Sequence, residues 1–287
     1  MLSIGLIGKI TSIEKQIEKL SKYPDIRIHG KSSVGTKHEP SEYRFSIPEY
    51  NRIELIERSD AIFLEDSALV PYSLLKDSIK RRKHIFFSEY PDFSEEQSLE
   101  LIKLIDEAGT VVQIKNPLYF NSIVQCMAKK TSQPFYLAAE IILPTEEQYG
   151  QILWDIVLLL LKMGQAVPKK NKALNISHRS KKYNFRNIRL EFTDSSALEM
   201  NITYPAENKK FTLKVVSGED IFDMNIISNQ VHSKLSTANI KTDFIKEYES
   251  FFKSVIKKQP PLTGINEYLT ALRTIQDIRS KINDAST

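Results

Sequence analysis

The chain has 287 residues, 41 % hydrophobic and 26 % charged, with a net charge of +4. That length suits about two domains and a core able to fold without disulfide or metal support. Cys126, the single cysteine, excludes a disulfide scaffold and a cysteine-built metal cluster.

In chain order, residues 3–7 read as a short apolar strand ending in Gly8, and helical spacing follows through Ile13, Ile17 and Leu20. Residues 26–29 form a second strand candidate. Helical spacing returns around 53–58, and SDAIFL at 59–64 has the pattern of a buried strand. Residues 74–82 read as a helix and 84–87 as a strand. Residues 94–109 carry a capping box, Ser94 with Gln97, and stop at Gly109. Residues 111–114 make the next strand. Strands alternating with helices imply a doubly wound parallel sheet.

The second half differs. Residues 135–143 are a long strand candidate, and 151–163 a strongly apolar helix ending at Gly164. Period-two patterns follow at 188–192, at Leu198, Met200, Ile202 and Tyr204, and at Phe211, Leu213 and Val215. They imply a mostly antiparallel sheet with one covered face. Phe244, Tyr248, Phe251, Phe252 and Val255 share one helix face, and Leu269, Leu272, Ile275, Ile278 and Ile282 stripe a last helix. That helix is expected to pack back near the first domain. The composition shift near 116–122 places the boundary, giving domains 1–116 and 117–287. The longest apolar run, 152–161, contains Asp155 and falls short of the ~20 residues of a membrane span. With no basic leader, a cytoplasmic, reducing compartment is expected.

The stretch IGLIGKITSI at 4–13 stands where a dinucleotide-binding fold carries G-x-G-x-x-G. Gly8 matches the first glycine, and Ile10 and Ile13 occupy the other two places. A β-branched Ile10 stands where the phosphates pass, although the helix start and the hydroxyls of Thr11 and Ser12 favour an anion. Gly8, Lys9, Ile10, Thr11 and Ser12 are therefore the cofactor candidates, against the plain alternative of a turn with no nucleotide. The ribose-binding acid expected ~20 residues on is absent. Lys31 or Arg27 suits a 2′-phosphate instead, favouring NADP over NAD, and a solvated loop is the simpler reading.

A basic tract, Lys169, Lys170, Lys172, Arg179, Lys181, Lys182, Arg186 and Arg189, contains no acid and is interleaved with Tyr183 and Phe185. It reads as a patch for nucleic acid or an anionic ligand, or as the polar face of a hairpin. Alternation along strands would dilute it, and the mild overall charge is too weak to argue for nucleic acid, so a nucleic-acid partner is not expected. His29, His38, His84, His178 and His232 show no metal-ligand spacing. Cys126 and Trp154 read as core residues.

SDAIFL, a helix, and then RRKHIFFSEYPDFSEEQ at 81–97 resemble the Gfo/Idh/MocA family of NAD(P)-dependent oxidoreductases. There an "sDaV" strand precedes "GKHV..EKP" and a Thr/Ser-start helix with "eE". Residues 251–282 are similar to the family's C-terminal signature, and 151–167 to the helix bearing its catalytic histidine. The resemblance implies a Rossmann domain with the cofactor at the sheet's C-terminal edge, then an open-faced α/β domain. It further implies hydride transfer to a small molecule held between them and a homodimer through the open sheet. The departures are specific. Tyr90 replaces the EKP lysine, Trp154 the histidine and Val157 the acid one turn on. Glu65-Asp66 replaces a Thr-Pro pair, and two carboxylates there repel phosphates unless a cation intervenes. Biliverdin reductases share the Glu-Tyr-Pro element. By that likeness Glu89 and Tyr90 are the catalytic candidates, Tyr90 as a proton donor with a pKa of ~10. Glu65 lies at the cofactor edge, and Trp154 and Asn116 in the substrate cleft. The alternatives are an inactive member, without cofactor, serving as a ligand-binding or oligomeric scaffold, and a biliverdin-reductase-like reductase.

Overall fold

The structure, a computed structural model, describes residues 1–35, 47–164, 166–177, 183–234 and 244–284. The first half comprises β1 (Leu2–Lys9), α1 (Ile10–Leu20), β2 (Ile26–Val34), α2 (Arg52–Arg58), β3 (Ala61–Leu64), α3 (Tyr72–Lys80), β4 (His84–Phe87), α4 (Glu95–Ala108) and β5 (Val112–Ile114). Then come α5 (Ser122–Lys130), β6 (Phe135–Ile142), α6 (Glu147–Gly164), β7 (Pro168–Ser177), β8 (Asn184–Phe192), β9 (Ala197–Tyr204), β10 (Lys210–Ser217), β11 (Ile221–Asn225), β12 (Gln230–Ser233), α7 (Glu247–Lys257) and α8 (Ile265–Asp284). They form two compact units, Met1–Lys115 with Lys246–Leu269, and Asn116–Ile245 with Thr270–Thr287.

The first unit is built on a parallel sheet in the order β2-β1-β3-β4-β5. Chain direction across the sheet reverses between β1 and β3, which opens a crevice at the carboxyl ends of those strands. One face packs against α1 and α7, where Ile13, Ile17 and Leu20 meet Phe63, Phe86, Phe251 and Phe252. Phe63 and Phe86 stack at 4.8 Å, and Phe251 closes edge-on at 5.4 Å from Phe63. The capping box on α4 is formed, with Ser94 Oγ accepting from the Gln97 amide at 3.1 Å and Gln97 Oε1 from the Ser94 amide at 2.9 Å. Gly109 ends the helix at φ +64°, a left-handed conformation natural to glycine.

The solvated loop read after residue 29 is strand, since β2 continues to Val34 and pairs with β1 as far as Lys9. A returning segment bridges Lys31 to Glu49, and the Glu49 carboxylate accepts from the Ser33 amide and hydroxyl. These bonds let a polar Lys-Ser-Ser stretch complete a strand.

The second unit holds a seven-stranded sheet in the order β12-β11-β10-β6-β9-β8-β7. Every pairing is antiparallel except β6 with β9. Leu137, Ala139, Ile141, Leu198, Met200, Ile202, Leu213 and Val215 are buried on its covered face. Helix α6 is apolar nearly all round and buried along most of its length, and Tyr149 near its start lies 6.3 Å from the Tyr204 ring of β9. Strands β7, β11 and β12 escape the periodicity reading: β7 exposes Leu174 and Ile176, and the other two are short.

Candidate active site

The crevice of the first unit is lined by residues immediately following three strands. Ladder bonds continue past the strand ends: Glu65 N–H to Ile7 at 2.8 Å, Ser88 N–H to Leu64 at 2.9 Å and Lys115 N–H to Phe87 at 3.0 Å. The two-residue pleat therefore sets Glu65, Ser88 and Lys115 directly above Phe63, Phe86 and Gln113, on the α1/α7 face. A polar row crowns the aromatic layer.

Ser88 Oγ donates to Glu65 Oε1 at 2.5 Å. Burial pushes the Glu65 carboxyl above the usual carboxylate range, and the Ser88 hydrogen bond and the charges of Lys19 and Lys115 only partly oppose this. Asp66 caps the short turn Ser67–Leu69 by accepting from the Ala68 amide at 3.1 Å, and its carboxylate lies 3.7 Å from Lys9 Nζ. Glu89 accepts from the Ser67 amide at 2.7 Å and from its hydroxyl at 3.3 Å. Thus two of the three carboxylates that crowd this edge are engaged by neighbouring amides, Lys9 faces one of them, and burial favours the neutral form of the third.

Helix α1 begins directly after β1, with Lys9 as N-cap and no side-chain cap. Its first turn carries no acid. The first turn, Ile10, Thr11 and Ser12, is therefore the positive end of the helix with neither an acid nor a side-chain cap, and the 69 % exposed Lys9 side chain stands beside it. Lys31 stands elsewhere, in mid-strand opposite Leu6, with its ammonium 3.7 Å from Glu49.

Tyr90 follows β4 and Glu89, and Lys115 Nζ sits 4.9 Å from the centre of its ring. The next turn is clamped from α8: Tyr268 Oη donates to the Pro91 carbonyl at 2.6 Å and accepts from the Phe93 amide at 3.2 Å. Burial raises the Tyr268 phenol to about 12, so it holds its proton. Deeper in the same unit, Tyr248 Oη donates to Gln16 Oε1 at 2.9 Å. Gln16 Nε2 and Gln113 Oε1 are buried with no hydrogen-bond partner among the described residues. Lys115, Ser88 and Ser67 escape the motif reading. Their signal is positional, because each closely follows a strand end at the crevice.

The remaining candidates lie in the second unit. Trp154 and Val157 are 9 % and 1 % exposed on α6, and neither transfers a proton. Asn116 is fully buried and accepts from the Tyr119 amide at 3.3 Å. The basic tract is dispersed. Lys169, Lys170 and Lys172 lie on β7, while Arg186 turns inward over Tyr149 at 4.2 Å and pairs with Glu146 at 3.0 Å. Gln165, His178, Arg179, Lys181 and Lys182 lie outside the described residues, as does His38. His84 Nδ1 accepts from the Val111 amide at 3.0 Å, and burial lowers its pKa. Burial likewise raises the thiol of Cys126. Among the described residues no group of three or more metal-binding side chains occurs, and no helix is long and apolar enough to cross a membrane.

No protein-family model and no curated protein sequence matches the chain. Solved structures do. UDP-N-acetylglucosamine 3-dehydrogenase GnnA from Acidithiobacillus ferrooxidans superposes with a TM-score of 0.80 at 13 % identity, over 100 % of this chain and 99 % of that one. The dehydrogenase MviM from Clostridium difficile gives 0.76 at 15 % identity, over 98 % and 99 %. The WlbA dehydrogenase from Chromobacterium violaceum, solved with NADH and UDP-GlcNAcA, gives 0.73 at 13 % identity, over 99 % and 94 %. This chain has the two-unit α/β fold of the Gfo/Idh/MocA-type dehydrogenases.

Proposed function

We propose that the protein is a divergent nicotinamide-dinucleotide-dependent oxidoreductase acting on a small molecule. The observation that carries this is the uncapped first turn of α1, beside Lys9, at the point where strand order reverses. The residues fit an anionic cofactor group in an altered way. The amides of Ile10, Thr11 and Ser12 would hold phosphate, Lys9 would add its charge, and burial of Glu65 disfavours the charged form that would repel it. Gly8 lets the strand end close on Glu65. A bound nicotinamide supplies or takes a hydride. Tyr90 Oη gives the accompanying proton to the substrate oxygen, Lys115 stabilises the resulting phenolate, and Glu89 fixes the turn before Tyr90 through Ser67.

A preference for NADP would rest on Lys31 alone, because Arg27 pairs with Ser3 at the amino end of β2, away from the crevice. Because Lys31 already faces Glu49, its use by a 2′-phosphate requires that pair to open. The chain is further proposed to form homodimers through the open face of its seven-stranded sheet, which sedimentation measurements test. Fluorescence titration with NADH and NADPH tests the cofactor, and binding of either at micromolar to millimolar concentration is expected. A second reading, a scaffold without catalysis, draws on the buried Trp154 and Val157 on α6, and absence of binding favours it.

A further inference from the structure

Part of the basic tract converges with a distant helix. In the second unit the start of β7 and one face of α8 enclose a groove of about 680 Å³ lined by Lys169, Lys170, Asn171, Arg273, Asp277 and Lys281. Asp277 is the only carboxylate among these lining residues. Its charge is met inside the wall, since Lys281 Nζ lies 3.2 Å from it and the side-chain Nδ2 of Asn171 donates to it. Lys281 also donates to the Asn171 carbonyl at 3.2 Å, which fixes that ammonium against a side chain only 9 % exposed. Lys169 and Lys170 have no acidic partner among the described residues. Adjacent strand residues ordinarily face opposite ways, but the register shifts between Pro168 and Lys170, and both line the same groove.

We propose that this groove binds a small phosphate-bearing molecule. Lys169 and Lys170 supply point charges for phosphate oxygens, and the guanidinium of Arg273 adds positive charge to the same wall. The volume lies within the ~300–1,000 Å³ usual for small-ligand sites. A polynucleotide fits less well. The backbone track it needs is interrupted on β7 by exposed Leu174 and Ile176, and Arg186 is stacked inward.

The test is calorimetric titration of the full chain with inorganic pyrophosphate at low ionic strength. Binding is expected, weakening with added salt and falling about tenfold in Lys169→Gln/Arg273→Gln. The start of α1 is the competing site, so the titration is repeated with NADH present to fill it, and the pyrophosphate affinity is expected to hold. NADH affinity is expected to be unchanged in the groove variant, and a thermal melt confirms that it folds. Pyrophosphate binding that is absent, that survives the groove double variant in the presence of NADH, or that NADH displaces would overturn the proposal. So would binding of a single-stranded oligonucleotide that pyrophosphate does not displace.

Discussion

Glu65 stands over Gly8: a β-carbon added to Gly8 would lie 2.4 Å from Glu65 Cβ. The glycine that resembles the head of a phosphate-binding turn is thus required first by contact between β1 and the end of β3. Gly8→Ala is predicted to destabilise the fold by about 1–3 kcal/mol, because two strand ends must part. Glu65→Gly in the same chain removes the colliding carbon and should restore much of the loss. Denaturant unfolding of the single and double variants checks this, and purely additive losses would contradict it.

The same carboxyl makes stability depend on pH. Its folded pKa is raised, chiefly by burial. The stability it contributes is therefore fully present below the ordinary glutamate value of about 4.3 and is lost as pH rises through the folded value. Glu65→Gln cannot ionise and still accepts from Ser88. Wild type is predicted to lose stability relative to Glu65→Gln as pH rises above about 4.3. Parallel urea melts measure the difference, and a wild type that gains on the variant as pH rises would refute the assignment.

The aromatic layer beneath the crevice supplies a larger effect. Phe86 is 1 % exposed and touches Phe63, Tyr248 and Phe251 at centroid distances of 4.8, 5.3 and 5.6 Å. Phe86→Ala is expected to cost about 3–5 kcal/mol, readable as a shift in denaturation midpoint.

Tyr268 positions the turn after Tyr90. Removing its hydroxyl in Tyr268→Phe leaves the Phe93 amide without its acceptor and should cost about 1–2 kcal/mol. If the turn positions Tyr90, turnover falls while dinucleotide affinity holds. Equal stability and equal turnover would show that the clamp is idle.

How much of this was legible in the sequence depends on how far apart the partners lie. The capping box of α4 is a matter of three residues and reads directly, as do the buried strands with apolar runs. β2 is different. Its polar Lys31-Ser32-Ser33 stretch is completed by Glu49, so nothing near residue 31 announces the strand. The crevice could be placed from the alternation of strands and helices, and Tyr90 and Glu89 from their motif. The partners that make the site electrically tenable could not: Lys115 meets Tyr90 from another strand, and Ser88 meets Glu65. Arg186 looked like part of a basic surface because Tyr149 and Tyr204, which enclose it, are brought there only by the fold.

Tyr90 and Lys115 carry the proposed proton transfer. Once a substrate is in hand, Tyr90→Phe is predicted to lower kcat by about 10²–10⁴-fold with cofactor affinity unchanged, and Lys115→Met to lower it in the same direction. Wild-type turnover in Tyr90→Phe would remove the phenol from the mechanism.

On the reading proposed above, the crevice at the ends of β1 and β3 takes a nicotinamide dinucleotide. Titrating NADH and NADPH into the protein while following nicotinamide fluorescence tests it most directly. Saturable binding that weakens in Lys9→Gln is the result expected here. No binding of either dinucleotide at millimolar concentration would contradict it and leave the fold serving as a scaffold.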